Sequence, residues 1–394
     1  MEVGKKAILY IGGFELPDKN AASHRVIANA KILNALGYDV LLIGVDKTNK
    51  KINNYLNKKI EGFTYYNVKY PKTIFEWLNY LTSIKPIINL ENIHPTHIIA
   101  YNYPSFALER LRKYCLKKKI FLLGDCTEWY EPKGRGVFRI IKGLDVFLRM
   151  RIIHPKLDGL IVISKYLFNY YKPKNCNLIQ IPPLVDLTMG KWEFTHYSTK
   201  DQKINLVYAG SPGSGGKDRL DKIINVVVEI NKQTTFRINL NIIGITKLEY
   251  FDLFVDDIIP QNIDEYISFK GRFSHVDTLS EVNKADYQIF VRDKNLTNMA
   301  GFPTKFVESI SCGTPVLTNS LSNIEEYFIP GKMGFLLDIS STKNLRISLI
   351  EAITKSRDSI QEMKNYCKSN QIFDYRNFIK PFFTFLDDLN SKSI

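Results

Sequence analysis

Short runs of aliphatic and β-branched residues alternate along the chain with longer stretches whose apolar positions recur at helical spacing. That alternation predicts parallel sheets covered by helices. The first run is Ala7–Ile11, followed by a Gly12-Gly13 loop and a helical stretch from about Ala21 to Leu36 that Gly37 would close. Further strands are predicted at Val40–Val45, His97–Ala100, Ile120–Leu123 and Leu160–Ser164, with helices between them such as Phe106–Lys118. The stretch Ile181-Pro182-Pro183-Leu184 excludes helix and suits an interdomain hinge. Beyond it the alternation resumes: strand Asn205–Ala209, helix Lys217–Asn231, strands Ile238–Ile243, Ile267–Lys270 and Tyr287–Val291, helix Thr304–Ser311 and strand Pro315–Thr318. Helical stretches at Thr342–Ser369 and Asp374–Leu389 follow. The expectation is an α/β chain with two Rossmann-like domains facing across a cleft. The domains span 1–185 and 186–373, and a terminal helix at about 374–394 packs back on the first.

Composition narrows the function classes. The chain has 394 residues, 45% hydrophobic and 24% charged, which is the profile of a globular protein large enough for two cores. No run approaches the roughly 20 apolar residues of a membrane span, and the first residues lack the pattern of a secretory leader. Five scattered cysteines form no CxxC pair, which argues against a disulfide framework or a zinc site and fits a reducing cytoplasm. The net charge of +14 is uneven: residues 1–185 hold 29 Lys and Arg against 14 Asp and Glu, and the remainder is balanced to within one charge. A one-sided basic field points to an anionic surface. No aromatic-basic motif for single strands or RNA is present, so no nucleic-acid partner is expected.

The densest chemistry runs from Arg292 to Val316. After a strand and a polar loop, Gly301-Phe302-Pro303 opens a helix carrying Lys305 and Glu308 on one face. A helix N-terminus beside a glycine is suited to phosphate. A second cradle is Tyr208-Ala209-Gly210-Ser211-Pro212-Gly213, with Lys217 and Arg219 at the following helix start. Gly124-Asp125-Cys126-Thr127-Glu128 follows a buried-looking strand, so Asp125 and Glu128 are candidates for acid/base or acceptor-binding work. Pro132–Arg151 sets Phe138, Ile141, Leu144 and Leu148 at helical spacing among Arg139, Lys142, Arg149 and Arg151. This is either a packed helix or one lying on acidic lipid.

The segment from Gly301 through Cys312-Gly313-Thr314-Pro315-Val316 to Gly334-Phe335-Leu336 resembles the donor site of family 4 retaining glycosyltransferases of the GT-B fold. Pro303, Lys305 and Glu308 match the helix start seen in a bacterial polysaccharide-type subset of that family. The resemblance implies hexose transfer from a nucleotide diphosphate sugar to a glycan or lipid-diphosphate-linked acceptor, with the sugar nucleotide as co-substrate and no other cofactor. It implies that 186–373 binds the donor and 1–185 the acceptor. Glu308 would hold the ribose, Lys217 and Arg292 the diphosphate, and Lys305 a phosphate or the sugar. The Gly12-Gly13 loop would lie beneath the donor phosphates, with Gly210, Gly301, Phe302 and Pro303 shaping the donor site. Two departures stand out. Ala300 occupies the place of the family's first glutamate, and Ser211 that of its usual arginine, so Arg292 or Arg219 would supply the missing charge. No Asp-x-Asp occurs, so no metal is expected and cations and helix ends would do that work. A cytoplasmic location, possible also at the inner face of the plasma membrane, is the expectation. A nucleotide-sugar epimerase and a catalytically degenerate binding subunit stay open as alternatives.

Overall fold

A computed structural model describes residues 6–17, 20–47, 58–78, 93–129, 137–174, 177–194, 203–213, 217–235, 237–253 and 263–391. The chain divides into two compact units. One comprises residues 1–185, 299–302 and 374–394, and the other residues 186–298 and 303–373.

The first unit is built on an eight-stranded sheet. Its strands are β1 (Ala7–Gly12), β2 (Asp39–Asp46), β3 (Lys58–Ile60), β4 (Phe63–Lys69), β5 (Pro95–Tyr101), β6 (Phe121–Cys126), β7 (Gly159–Val162) and β8 (Asn177–Gln180). Their spatial order is β3-β4-β2-β1-β5-β6-β7-β8, parallel except for the β3–β4 hairpin. All six residues of β1 are buried, as a strand covered on both faces requires. The helix Ala21–Ala35 starts where the Asn20 side chain accepts from Ser23 N, 3.0 Å. It stops where Gly37 N and Tyr38 N return to the carbonyls of Asn34 and Leu33. Phe382, Phe385, Leu386 and Leu389 of the terminal helix Ile379–Ser391 join Ile179, Ile181 and Leu184 in this unit's core.

The second unit holds a six-stranded, wholly parallel sheet: β9 (Ile204–Ala209), β10 (Ile238–Ile243), β11 (Ile267–Gly271), β12 (Tyr287–Ile289), β13 (Val316–Thr318) and β14 (Gly334–Leu336). The order β11-β10-β9-β12-β13-β14 is that of a Rossmann sheet. In each sheet the order reverses beside the first strand, between β1 and β5 and between β9 and β12. Ligands of open α/β sheets bind outside the carboxyl ends of the strands at such switch points.

Several elements differ from the sequence expectation. The hairpin β3–β4 turns at Glu61-Gly62, both at positive φ, and was not anticipated; neither were β8 and β14. The stretch 342–369 is two helices, Thr342–Ile353 and Arg357–Ser369, because Ser356 caps a new start. The helix expected from Lys217 begins at Leu220, which leaves Lys217, Asp218 and Arg219 in the preceding turn. Pro303 takes the cap position, one residue before the helix Thr304–Ser311. Among the described residues no helix is long and apolar enough to cross a membrane.

Candidate functional site

In the second unit the turn before the helix Leu220–Gln233 drives Asp218 inward. Its carboxylate is almost wholly buried and meets three partners: the Arg292 guanidinium, Lys305 Nζ at 2.7 Å and the Tyr208 hydroxyl, which donates at 2.7 Å. Each partner comes from a different element. Tyr208 lies in β9, Arg292 just beyond β12, and Lys305 in the first turn of the helix Thr304–Ser311. Burial alone would push the Asp218 carboxyl up, but Lys305 and Arg292 outweigh it and hold the group below the usual carboxylate range. The backbone of Arg292 is fixed in turn by Asn319, whose Oδ1 accepts from Arg292 N (2.9 Å) and whose Nδ2 donates to Arg292 O (3.0 Å).

Gly210 closes this cluster from the β9 side. Its φ of +117° is open to glycine, and a Cβ there would stand 2.7 Å from Lys305 Nζ. Gly210, Arg292 and Lys305, singled out from the sequence, are therefore brought together. Lys217 directly precedes Asp218 and is half-buried. Of the two arginines left open by the sequence, Arg292 belongs to the cluster. Arg219 is held by Asp221 and by Asp293, its Nη1 donating to Asp293 Oδ2 at 2.7 Å. One turn along from Lys305, Glu308 diverges from the cluster: its Oε1 lies 3.3 Å from Nε2 of His275, the first residue of the helix His275–Lys284.

The charge count decides what the cluster can do. Among the described residues two cations face one carboxylate, which gives the cluster a net positive charge at the carboxyl ends of β9 and β12. Such a group is built to receive an anion.

In the first unit Asp125, at the end of β6, is sealed. Arg25 grips it through Nη2 (2.8 Å) and Nε (3.0 Å), and the Tyr10 hydroxyl donates to it at 2.5 Å. Arg25 also donates to the Ile181 carbonyl at 2.8 Å, and Asn29 donates to the Tyr10 hydroxyl at 3.0 Å. Burial first, and the Asp125 charge second, push the Tyr10 phenol well above its ordinary range. Through Arg25 and Tyr10 this carboxylate is linked to β1, the first helix and residue 181. Glu128 is half-buried in the loop that follows. Nearby, Asn102 donates to Thr127 Oγ1 (2.7 Å), Thr127 donates to the Tyr101 hydroxyl (3.2 Å), and Arg149 donates to the Asn102 carbonyl (3.3 Å). Gly12 ends β1 where a Cβ would fall 2.5 Å from the Tyr101 carbonyl oxygen, whereas Gly13 has open space around it. In the segment 299–302, the buried Ala300 offers its carbonyl to Ser164 Oγ at 2.7 Å, and Gly301 and Phe302 follow it, also buried.

Asp218, Tyr208, Asn319, His275, Asn102 and Thr127 were not anticipated as site residues. Asp218 carried a signal, since an acid between Lys217 and Arg219 at a helix start is suspicious. It reads equally well as a helix cap.

Comparison with known proteins bears on this geometry directly. Residues 200–371, which contain the Asp218 cluster, match the family model described as Glycosyl transferases group 1. Among solved structures, sucrose-phosphate synthase from Thermosynechococcus elongatus superposes over 98% of this chain and 100% of its own, at 13% identity and a TM-score of 0.70. A glycosyltransferase from Rickettsia africae does so over 98% and 99%, at 15% identity and 0.67. The Anabaena protein HepE, solved with UDP and glucose, covers 97% and 100%, at 12% identity and 0.63. The fold is GT-B. No curated protein sequence matches the chain.

Proposed function

We propose that this protein is a retaining glycosyltransferase that moves a hexose from a nucleoside diphosphate sugar to a hydroxyl of a glycan or lipid-diphosphate-linked glycan. The observation that carries the reading is the net positive charge of Arg292 and Lys305 around Asp218 among the described residues, inside the segment that matches group 1 glycosyl transferases. HepE, solved with UDP and glucose, and WaaB, described as a lipopolysaccharide outer core galactosyltransferase, support the donor class and a role in bacterial surface polysaccharide synthesis.

In the proposed reaction the bond from the anomeric carbon to the diphosphate oxygen breaks, and its electron pair stays with the nucleoside diphosphate. The acceptor oxygen bonds to the same face of that carbon, and the acceptor proton passes to the departing diphosphate. Lys305, Arg292 and Lys217 stabilise the charge that builds on the diphosphate, so no metal ion is invoked. Glu308, oriented by His275, accepts hydrogen bonds from the ribose hydroxyls. Gly210 lets the backbone approach the phosphates, and Gly301, Phe302 and Pro303 line the sugar end. With Asp125 committed to Arg25, Glu128 is the carboxylate that would orient the acceptor. The basic balance of residues 1–185 favours an acceptor displayed at an anionic surface, on the cytoplasmic side.

Ala300, standing where the resembling family has a glutamate, favours a second reading, a binding subunit that holds the nucleotide without turnover. A thermal-shift panel of UDP, GDP, CDP and their sugars, run on wild type and Glu308→Ala, tests both. A rise in Tm with one nucleotide series, lost or much reduced in the variant, is the expected result, and release of that nucleotide on adding acceptor identifies the transferase. Binding without release under any acceptor assigns the second reading. No shift with any nucleotide sinks both.

A further inference from the structure

The helix Val137–Phe147 exposes apolar side chains beside its cations. Its apolar side chains Ile140, Ile141, Leu144 and Phe147 are exposed, Ile140 by 70%, and Ile152 in the π-helical continuation Leu148–Ile153 is exposed as well. Two polar side chains turn inward instead. Asp145 caps the helix Ser105–Lys118 through Ser105 N at 2.7 Å, and Arg149, read from the sequence as part of the basic face, is 4% exposed and bonded to the Asn102 carbonyl. Ordinary surface helices bury the apolar stripe and expose the charged one. Here the residues at positions 140, 144 and 147, one face of the helix, form a ridge that nothing among the described residues covers.

The ridge is rimmed by cations. Arg139, Lys142 and Arg151 are all exposed, and the Arg151 guanidinium lies 5.3 Å over the Phe147 ring. Among the described residues no acid of this helix joins the rim, since Asp145 is turned to Ser105 N. We infer that this helix is a docking surface for an anionic lipid bilayer, its apolar ridge entering the acyl boundary and Arg139, Lys142 and Arg151 meeting the headgroups. A second copy of the chain is disfavoured as occupant, because two such rims would set like charges against each other. The inference goes beyond the transferase reading and does not depend on it.

The test is co-flotation of the full-length protein with vesicles of phosphatidylcholine alone and of phosphatidylcholine with phosphatidylglycerol in equal parts, at low and high salt. Binding is expected only to the phosphatidylglycerol vesicles, and it should weaken with salt. The double substitution Leu144→Ser, Phe147→Ser is expected to weaken it by about thirtyfold, from the apolar area lost. Arg139→Gln with Lys142→Gln is expected to weaken it by about fivefold per charge. Both pairs are exposed, so Tm should hold, and the charge pair keeps the test valid if the apolar pair misfolds. Equal binding to both vesicle types, no binding, or variants that bind like wild type would overturn the inference. So would a dimer of the wild type that the Leu144/Phe147 variant dissolves.

Discussion

Tyr10 and Tyr208 occupy corresponding places in two different sheets. Each lies in the first strand beside the switch point, two residues before the glycine at its end, and each donates its hydroxyl to a buried aspartate. From there the two arrangements part. Around Asp125 one arginine balances one carboxylate, the Arg25 side chain is 3% exposed, and spare donors go to backbone carbonyls. Around Asp218 two cations share one carboxylate, and their side chains reach 9% and 12% exposure. The first knot is neutral and complete. The second, among the described residues, carries a net positive charge. Burial alone therefore does not tell the two carboxylates apart; the charge left around each does.

The largest effect follows from removing the balanced carboxylate. Asp125→Ala leaves the Arg25 charge buried and unpaired, at a cost of ~3–5 kcal/mol. Chemical denaturation should show that loss in the first unit. Hydrogen exchange in β1, β6 and the first helix should rise while the second unit keeps its protection. If Asp125→Ala were as stable as wild type yet slow with acceptor, the carboxylate would be an acceptor-side residue after all and the comparison would break.

Next in size is the unbalanced knot. Lys305→Ala leaves Asp218 paired with Arg292, so little stability should be lost. A hydrogen bond to a charged group contributes ~1.5–3 kcal/mol, which predicts nucleoside diphosphate binding weaker by about 10- to 100-fold. Titration calorimetry measures this, and Asp125→Asn serves as the contrast, since it should leave nucleotide affinity in the folded fraction unchanged. A Lys305→Ala protein that lost stability but bound nucleotide normally would mean that Lys305 only props up Asp218.

How much of this was legible in the sequence follows the range of the interactions. Strand positions such as Ile238–Ile243 and the helix Thr304–Ser311 read directly, because period and capping are local. Gly210, Arg292 and Lys305 stood out because a glycine, a strand end and a helix start are local too, though nothing in the chain said that they converge. The pairing of Asp125 with Arg25, 100 residues apart, and of Asp218 with Lys305, 87 apart, is set by sheet order and had no local trace. Hence two aspartates of similar local appearance could not be assigned different tasks. The helix Val137–Phe147 was half visible: its composition was plain, but that Asp145 turns inward depends on its reaching Ser105, another long-range contact.

The smallest effect separates the two units by pH. His154 is buried in the first unit with Nδ1 2.8 Å from the Tyr171 hydroxyl, and burial, then the Arg149 charge, push it down to about 3. His97 in the same sheet is pushed down to about 4 by burial and then by Lys6. With the folded value below the unfolded one, near 6.5, the unfolded chain takes up a proton that the folded one refuses. Stability is then complete above about pH 6.5 and falls as pH drops towards the folded values, by about 1.4 kcal/mol per pH unit for each histidine. Asp218 has the opposite identity and a lower window: its folded value is also depressed, but from a carboxylate's, so its contribution is lost only below about pH 4. Mild acid should therefore loosen the first unit while the second holds. Hydrogen exchange followed by peptide from pH 7 to about 5 reads each unit separately, and His154→Gln should remove about one proton from the pH slope of the first unit alone. A slope unchanged by that substitution, or one shared by both units, would mean that His154 titrates normally and that the acid-sensitive contact lies elsewhere.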